Sequence, residues 1–123
     1  YGMRREDYPQ YRFAQVMKKT PNATLLNYGF LDGGFYLAAG IMPTTKYFCQ
    51  LNIPPDKFPE LPQNHQRMIE AAETDYVVTR IGIRQTSSEI PCPALYENYR
   101  VAAEGINVRD RYRYVLFQRK ELP

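Results

Sequence analysis

Helical and extended patterns alternate along this chain, and that alternation constrains its fold more than any other feature of the sequence. Phe58, Leu61, His65, Met68, Ile69 and Ala72 recur at three- and four-residue spacing, which is one apolar stripe of an amphipathic helix. Pro59 and Pro62 then belong in its first turns or in an irregular entry. The short β-branched run Asp75-Tyr76-Val77-Val78-Thr79-Arg80 follows and reads as a strand. Upstream, Phe13, Val16 and Met17 fall at helical spacing, with Asp7 as the expected cap, Pro9 in the first turn and Thr20-Pro21-Asn22 as the stop. Ala23 to Tyr28 is a short buried strand. Asp32 is expected to cap a short helix that Gly33 and Gly34 open and Gly40 ends. Lys46 to Asn52 forms the next strand.

Downstream, Gly82 to Pro93 carries Gly, Thr, Ser and Pro residues that disfavour regular structure, so a surface loop is expected. Tyr99 to Glu104 reads as a fourth strand, with helix as the alternative, and Tyr112 to Gln118 as a fifth. A turn near Gly105 to Asp110 joins these two as a hairpin. Alternating strands and helices imply parallel pairing with right-handed crossovers. The expected class is α/β: a small three-layer α/β/α sandwich whose Rossmann-like mixed sheet of about five strands ends in an antiparallel hairpin. The length, 123 residues, suits a single domain spanning 1–123.

Apolar residues make up 44% of the chain, enough for a packed core. Eleven Tyr and six Phe stand beside no Trp, a composition that suits half-buried sheet faces. The formal charge of +3 is mild, and the densest basic cluster is Arg109, Arg111, Arg113, Arg119 and Lys120. Strand alternation places Arg113 on the face opposite Tyr112 and Tyr114. No nucleic-acid-binding pattern accompanies the cluster, so it reads as a solvated face. The chain begins at Tyr1 and holds no apolar run of about 18 residues. The expectation is a soluble domain excised from a longer protein.

Few residue patterns carry chemistry. Cys49 and Cys92 are too far apart for a redox pair or a Cys-rich zinc site. His65 is the single histidine and lies on the apolar helical stripe, where a buried structural role outweighs catalysis. No metal site, cofactor or catalytic residue is assigned. The segment Tyr28-Gly29-Phe30-Leu31-Asp32-Gly33-Gly34-Phe35 follows a strand and opens a helix, where backbone N–H groups can receive a polar ligand. It matches neither common phosphate-binding glycine pattern, and a helix cap with close helix–strand packing stands as the alternative. The candidate ligand-binding residues are Asn27, Tyr28, Asp32, Gly33 and Gly34.

Four segments in order carry a family resemblance. They are residues 24–36 (Thr24-Leu25-Leu26-Asn27 onward), Tyr47-Phe48-Cys49, residues 74–80, and residues 112–119. Together they resemble the soluble C-terminal extracytoplasmic domain of bacterial polytopic membrane proteins related to C-type glycosyltransferases, such as protein mannosyltransferase-like and lipid A aminoarabinose transferase-like enzymes. The resemblance covers nearly the whole chain. It implies a parent with many transmembrane helices that transfers a sugar from a polyprenyl-phosphate donor on the outer side of the cell membrane. The catalytic acid of such enzymes lies in an early extracytoplasmic loop, which nothing here matches. This domain would then be an accessory. Its partners would be its own transmembrane region and a glycan or polypeptide acceptor, with no nucleic acid. A free-standing small-ligand or nucleotide-binding module built on the Asp32-Gly33-Gly34 loop is the alternative, and a hydrolase centred on His65 is a third reading.

Overall fold

The structure, a computed structural model, describes residues 8–28, 35, 38, 40 and 60–122. The elements among them are α1 (Pro9–Met17), β1 (Leu25–Tyr28), α2 (Glu60–Glu70), β2 (Tyr76–Gly82), α3 (Pro93–Asn98), β3 (Tyr99–Asn107) and β4 (Tyr112–Arg119). They form a small α/β domain with three helices and a four-stranded mixed sheet in the order β1-β2-β4-β3. β1 and β2 run parallel, while β4 is antiparallel to both β2 and β3.

Side-chain alternation assigns the two faces of the sheet. Leu25, Tyr76, Val78, Tyr114 and Leu116 point one way, into a cluster with Phe13 and Met17 of α1 and with Phe35. Leu26, Val77, Ile81, Val115 and Phe117 point the other way, against Met68 and Ile69 of α2 and Ala94 and Leu95 of α3. The runs Tyr76–Val78 and Tyr114–Phe117 are buried on both faces, so neither β2 nor β4 could remain stable with one face in water.

α1 starts one residue later than the Asp7 cap implies. Tyr8 occupies the N-cap with extended backbone and no side-chain cap, and its carbonyl accepts from Tyr11 N and Arg12 N at 3.0 and 3.1 Å. Pro9 is the first helical residue, where its missing N–H costs nothing. The helix approaches β3 closely at Gly105: a Cβ there would stand 3.2 Å from Pro9 Cγ.

The loop expected over Gly82 to Pro93 needs correction at both ends. β2 continues through Ile81 and Gly82, and Pro93 opens α3 as its first residue. The turn-rich stretch between them is held by Tyr96, whose hydroxyl donates to the Ser87 carbonyl and accepts from Ile90 N. β3 runs on to Asn107, past the expected turn at Gly105, because its pairing with β4 persists to Asn107↔Tyr112. A register shift between Val101 and Ala103 marks a bulge in β3. Among the described residues there are four strands; the expected strand Lys46 to Asn52 lies outside them. Of the expected helix 32–39, Phe35 and Ala38 are described and helical, and Gly40 has φ +70°, the left-handed conformation that ends a helix.

One end of the sheet is clamped. Asp75 accepts from Thr24 N and Thr24 Oγ1 through one carboxylate oxygen and pairs with Arg119 at 2.9 Å through the other. The backbone repeats the link: Tyr76 N donates to Thr24 O and Arg119 N to Asp75 O. Next to this clamp, buried Tyr99 donates to the Thr74 carbonyl at 2.7 Å, and Asn98 Nδ2 donates to the Ile69 and Glu70 carbonyls that end α2. That helix closes with Glu73 N on Met68 O and Ala72 N on Ile69 O, a Schellman motif with Ala72 at φ +51° where glycine is the usual residue.

Two outcomes are expected in denaturant unfolding. Ala72→Gly relieves the left-handed strain and raises stability by about 0.5–1 kcal/mol, despite the greater chain entropy of glycine. Asp75→Ala removes the contacts joining three strands and lowers stability by about 2–3 kcal/mol. A neutral Asp75→Ala variant would show that the clamp is incidental.

Candidate functional site

The parallel pair β1–β2 sets where a ligand would sit. In open α/β sheets ligands approach the carboxyl ends of parallel strands, because the connecting loops leave there. At that end Tyr28 pairs with Thr79, so Arg80 lies one step beyond the last residue of β1, where segment 29–34 departs.

The two described candidates, Asn27 and Tyr28, are adjacent in sequence and therefore face opposite sides of the sheet. Asp32, Gly33 and Gly34 lie outside the described residues. Asn27 is fully buried on the α1 face. Two residues further along β2 on that same face is Arg80, and its register partner on β4 is Tyr114. The Arg80 guanidinium lies 4.1 Å from the centre of the Tyr112 ring, and across the sheet from Arg80 the Tyr114 hydroxyl donates to Asp110 Oδ2. Phe35 packs on Tyr114 with ring centres 5.2 Å apart and on Phe13 at 5.6 Å. The cation is thus braced by an aromatic face at the rim of the apolar layer.

Burial pushes the Tyr114 pKa well above its ordinary value of 10.0, and the Asp110 carboxylate accepting its proton pushes it further; Arg80 partly offsets this.

On the other face, Tyr28 is half-buried with its ring 6.3 Å from that of His65. Burial raises the Tyr28 pKa, and the neighbouring Cys92 adds to the rise. Cys92 is a free, buried thiol that donates to Gln66 Oε1 at 3.4 Å. The Thr79 hydroxyl, also buried on this face, has no hydrogen-bond partner among the described residues. His65 is 1% exposed, in the middle of α2, and packs into the layer between helix and sheet. His65 and Cys92 are each 1% exposed, and with Tyr28 they join α2 to the sheet.

Among the described residues, no three His, Cys, Asp or Glu side chains come together in a way that could hold a metal ion. No helix among them is long and apolar enough to cross a membrane. No protein-family model, curated protein or solved structure matches this chain.

Sequence reasoning missed Arg80, Tyr114 and Asp110 as a group. Arg80 carried a usable signal, a lone charge ending an apolar strand beside the loop of interest. Its link to Tyr114 and Asp110 depends on the β2–β4 register, which has no local signature.

The tyrosine shifts fix an alkaline response. Tyr28, Tyr99 and Tyr114 all hold their protons more tightly when folded than at the ordinary value of 10.0, chiefly through burial. Above that pH the unfolded chain binds fewer protons than the folded one, so stability falls as pH rises. Below it their contribution is fully present. The unfolding free energy should therefore be insensitive to these groups up to about pH 9 and decline above about pH 10, with a shallower decline in Tyr114→Phe. Denaturant melts at stepped pH read this directly, and parallel declines for the two proteins would refute it.

Proposed function

We propose that this domain binds a ligand without transforming it, at the carboxyl end of β1 and β2, and that it serves as the accessory extracytoplasmic domain of a membrane glycosyltransferase-like protein with a polyprenyl-phosphate sugar donor. The observation that carries the binding part is the placement of Arg80. A braced guanidinium stands beside the strand end from which the Asp32-Gly33-Gly34 segment leaves. Such a cation has lost little freedom when an anionic or hydroxyl-rich group arrives, so phosphate or sugar groups are the chemistry it suits.

The accessory role rests on the resemblance. Three of the segments that carry it are β1, β2 and β4 with their entries, which are neighbours in the sheet and form one structural unit rather than scattered likenesses. The finer architecture belongs to the same reading: α1 on one face and α2 with α3 on the other support a three-layer, Rossmann-like sandwich. A glycan or polypeptide acceptor, and the transmembrane part of the same protein, are the partners this role requires. A free-standing module for small phosphorylated ligands is the second reading, favoured by the same Arg80 placement without any membrane parent.

Thermal unfolding with a panel of sugar phosphates, short isoprenyl phosphates and nucleotides tests the binding part. A ligand at about 100 times its Kd should stabilise the chain by about 2.7 kcal/mol, and Arg80→Gln should abolish the shift. No response to the whole panel at millimolar concentration, or an undiminished shift in Arg80→Gln, would refute the site. Hydropathy of the coding sequence upstream separates the two roles. Several spans of about 20 apolar residues favour the accessory domain, and a soluble upstream neighbour leaves the free-standing module.

A further inference from the structure

The far end of the hairpin concentrates features that the clamp does not use and of which the Arg80 site uses only Tyr112 and Asp110. Three of the exposed large apolar side chains gather there: Ile83 at 38%, Val108 at 48% and Tyr112 at 38%. Gly82 pairs with Tyr112, and Tyr112 with Asn107, so the start of the β2–α3 connection and the β3–β4 turn stand side by side. Between the apolar groups lie Arg84, Arg109 and Arg111, all exposed, whose side chains make no hydrogen bond or ion pair among the described residues. The acids of the hairpin are already engaged. Asp110 accepts from the Tyr114 hydroxyl and from Tyr112 N, and Glu104 lies 3.8 Å from Arg113.

The turn that presents these groups is held by its own hydrogen bonds. Asn107 Oδ1 accepts from Arg109 N at 2.9 Å, Asn107 O accepts from Arg111 N at 2.8 Å, and Asp110 Oδ1 accepts from Tyr112 N at 3.0 Å. Arg111 is held at φ +61° by this network. Val108 therefore stands on a preformed tip flanked by unneutralised guanidinium groups, so little ordering is left to be done on contact.

We infer that this end of the domain docks on an anionic lipid surface, with Arg84, Arg109 and Arg111 on headgroup phosphates and Val108 and Ile83 at the acyl boundary. Charge complementarity chooses the sign of the partner, and the aliphatic tips choose a bilayer over a nucleic acid. A nucleic-acid groove offers open aromatic faces for bases to stack on. Here the Tyr112 ring is already covered by Arg80, and the projecting apolar groups are aliphatic, which suits a headgroup–acyl interface. The inference needs neither the ligand site nor a transmembrane parent.

The test is co-sedimentation of the full 123-residue chain with phosphatidylglycerol–phosphatidylcholine vesicles and with pure phosphatidylcholine vesicles. The chain should partition onto the anionic vesicles only, and added salt should release it. Arg109→Gln with Arg111→Gln should lower the partition coefficient on the order of 30-fold, at about fivefold per arginine. Val108→Asp should also lower it, and thermal unfolding of both variants should show that the fold is retained. The protein carrying Arg109→Gln and Arg111→Gln should keep the thermal shift of the unaltered chain with the sugar-phosphate panel, so the two proposals can fail separately. Absence of partitioning, partitioning indifferent to the double arginine change or to Val108→Asp, or tighter binding to a single-stranded oligonucleotide at the same salt would each overturn the inference.

Discussion

The domain depends on covering both faces of two strands. Val77 and Val78 on β2, and Val115, Leu116 and Phe117 on β4, are completely buried and alternate between faces. A sheet whose central strands are apolar on both sides cannot be a two-layer structure open to water. Helix α1 and Phe35 close one side, and α2 with α3 close the other. The aromatic content follows from the same demand. Phe13, Phe35 and Tyr114 stack in sequence to fill the α1 side, while Tyr96 meets Phe117 edge-on on the other.

The two ends of the sheet are built differently. At the end holding Thr24, Asp75 and Arg119, backbone and side-chain bonds link β1, β2 and β4, and Tyr99 and Asn98 tie in the start of β3 and the end of α2. Most polar groups there bond one another, with buried Arg119 Nε left without a partner among the described residues. At the opposite end Arg80 lies over the Tyr112 ring, Arg113 donates to the Ile83 carbonyl, Arg84, Arg109 and Arg111 are exposed, and so are the apolar tips. Bonded polar groups gather at one end and exposed charge at the other, so the exposed end can be altered without disturbing the contacts that hold the sheet.

Much of the fold was legible because its signals are local. The stripe through His65, Met68 and Ile69 predicts α2, and all three are buried against the sheet. The β-branched and aromatic runs predict β2, β4 and their buried character. Helix α3 was not legible: six residues opened by a proline are too few for periodicity to show, and they are helical because Ala94 and Leu95 fill the layer beside Phe117. The extension of β3 past Gly105 was hidden for a related reason, since glycine signals a turn locally and only the pressing of α1 against that position explains it within a strand.

For the site the division is sharper. The sequence by itself determined that the strand ending at Tyr28 leads into a glycine-bearing segment with Asp32 in it, and that His65 belongs to an apolar stripe; both follow from neighbours within a few residues. Only the tertiary structure decided that Arg80 meets the Tyr112 ring and lies across from Tyr114, and that Arg84 stands at the same end of the sheet as the turn carrying Arg109 and Arg111. These juxtapositions join residues about 30 apart in the chain through the register of antiparallel strands. Register is set by which apolar set must enter which layer, a property of the whole packed sheet rather than of any one segment.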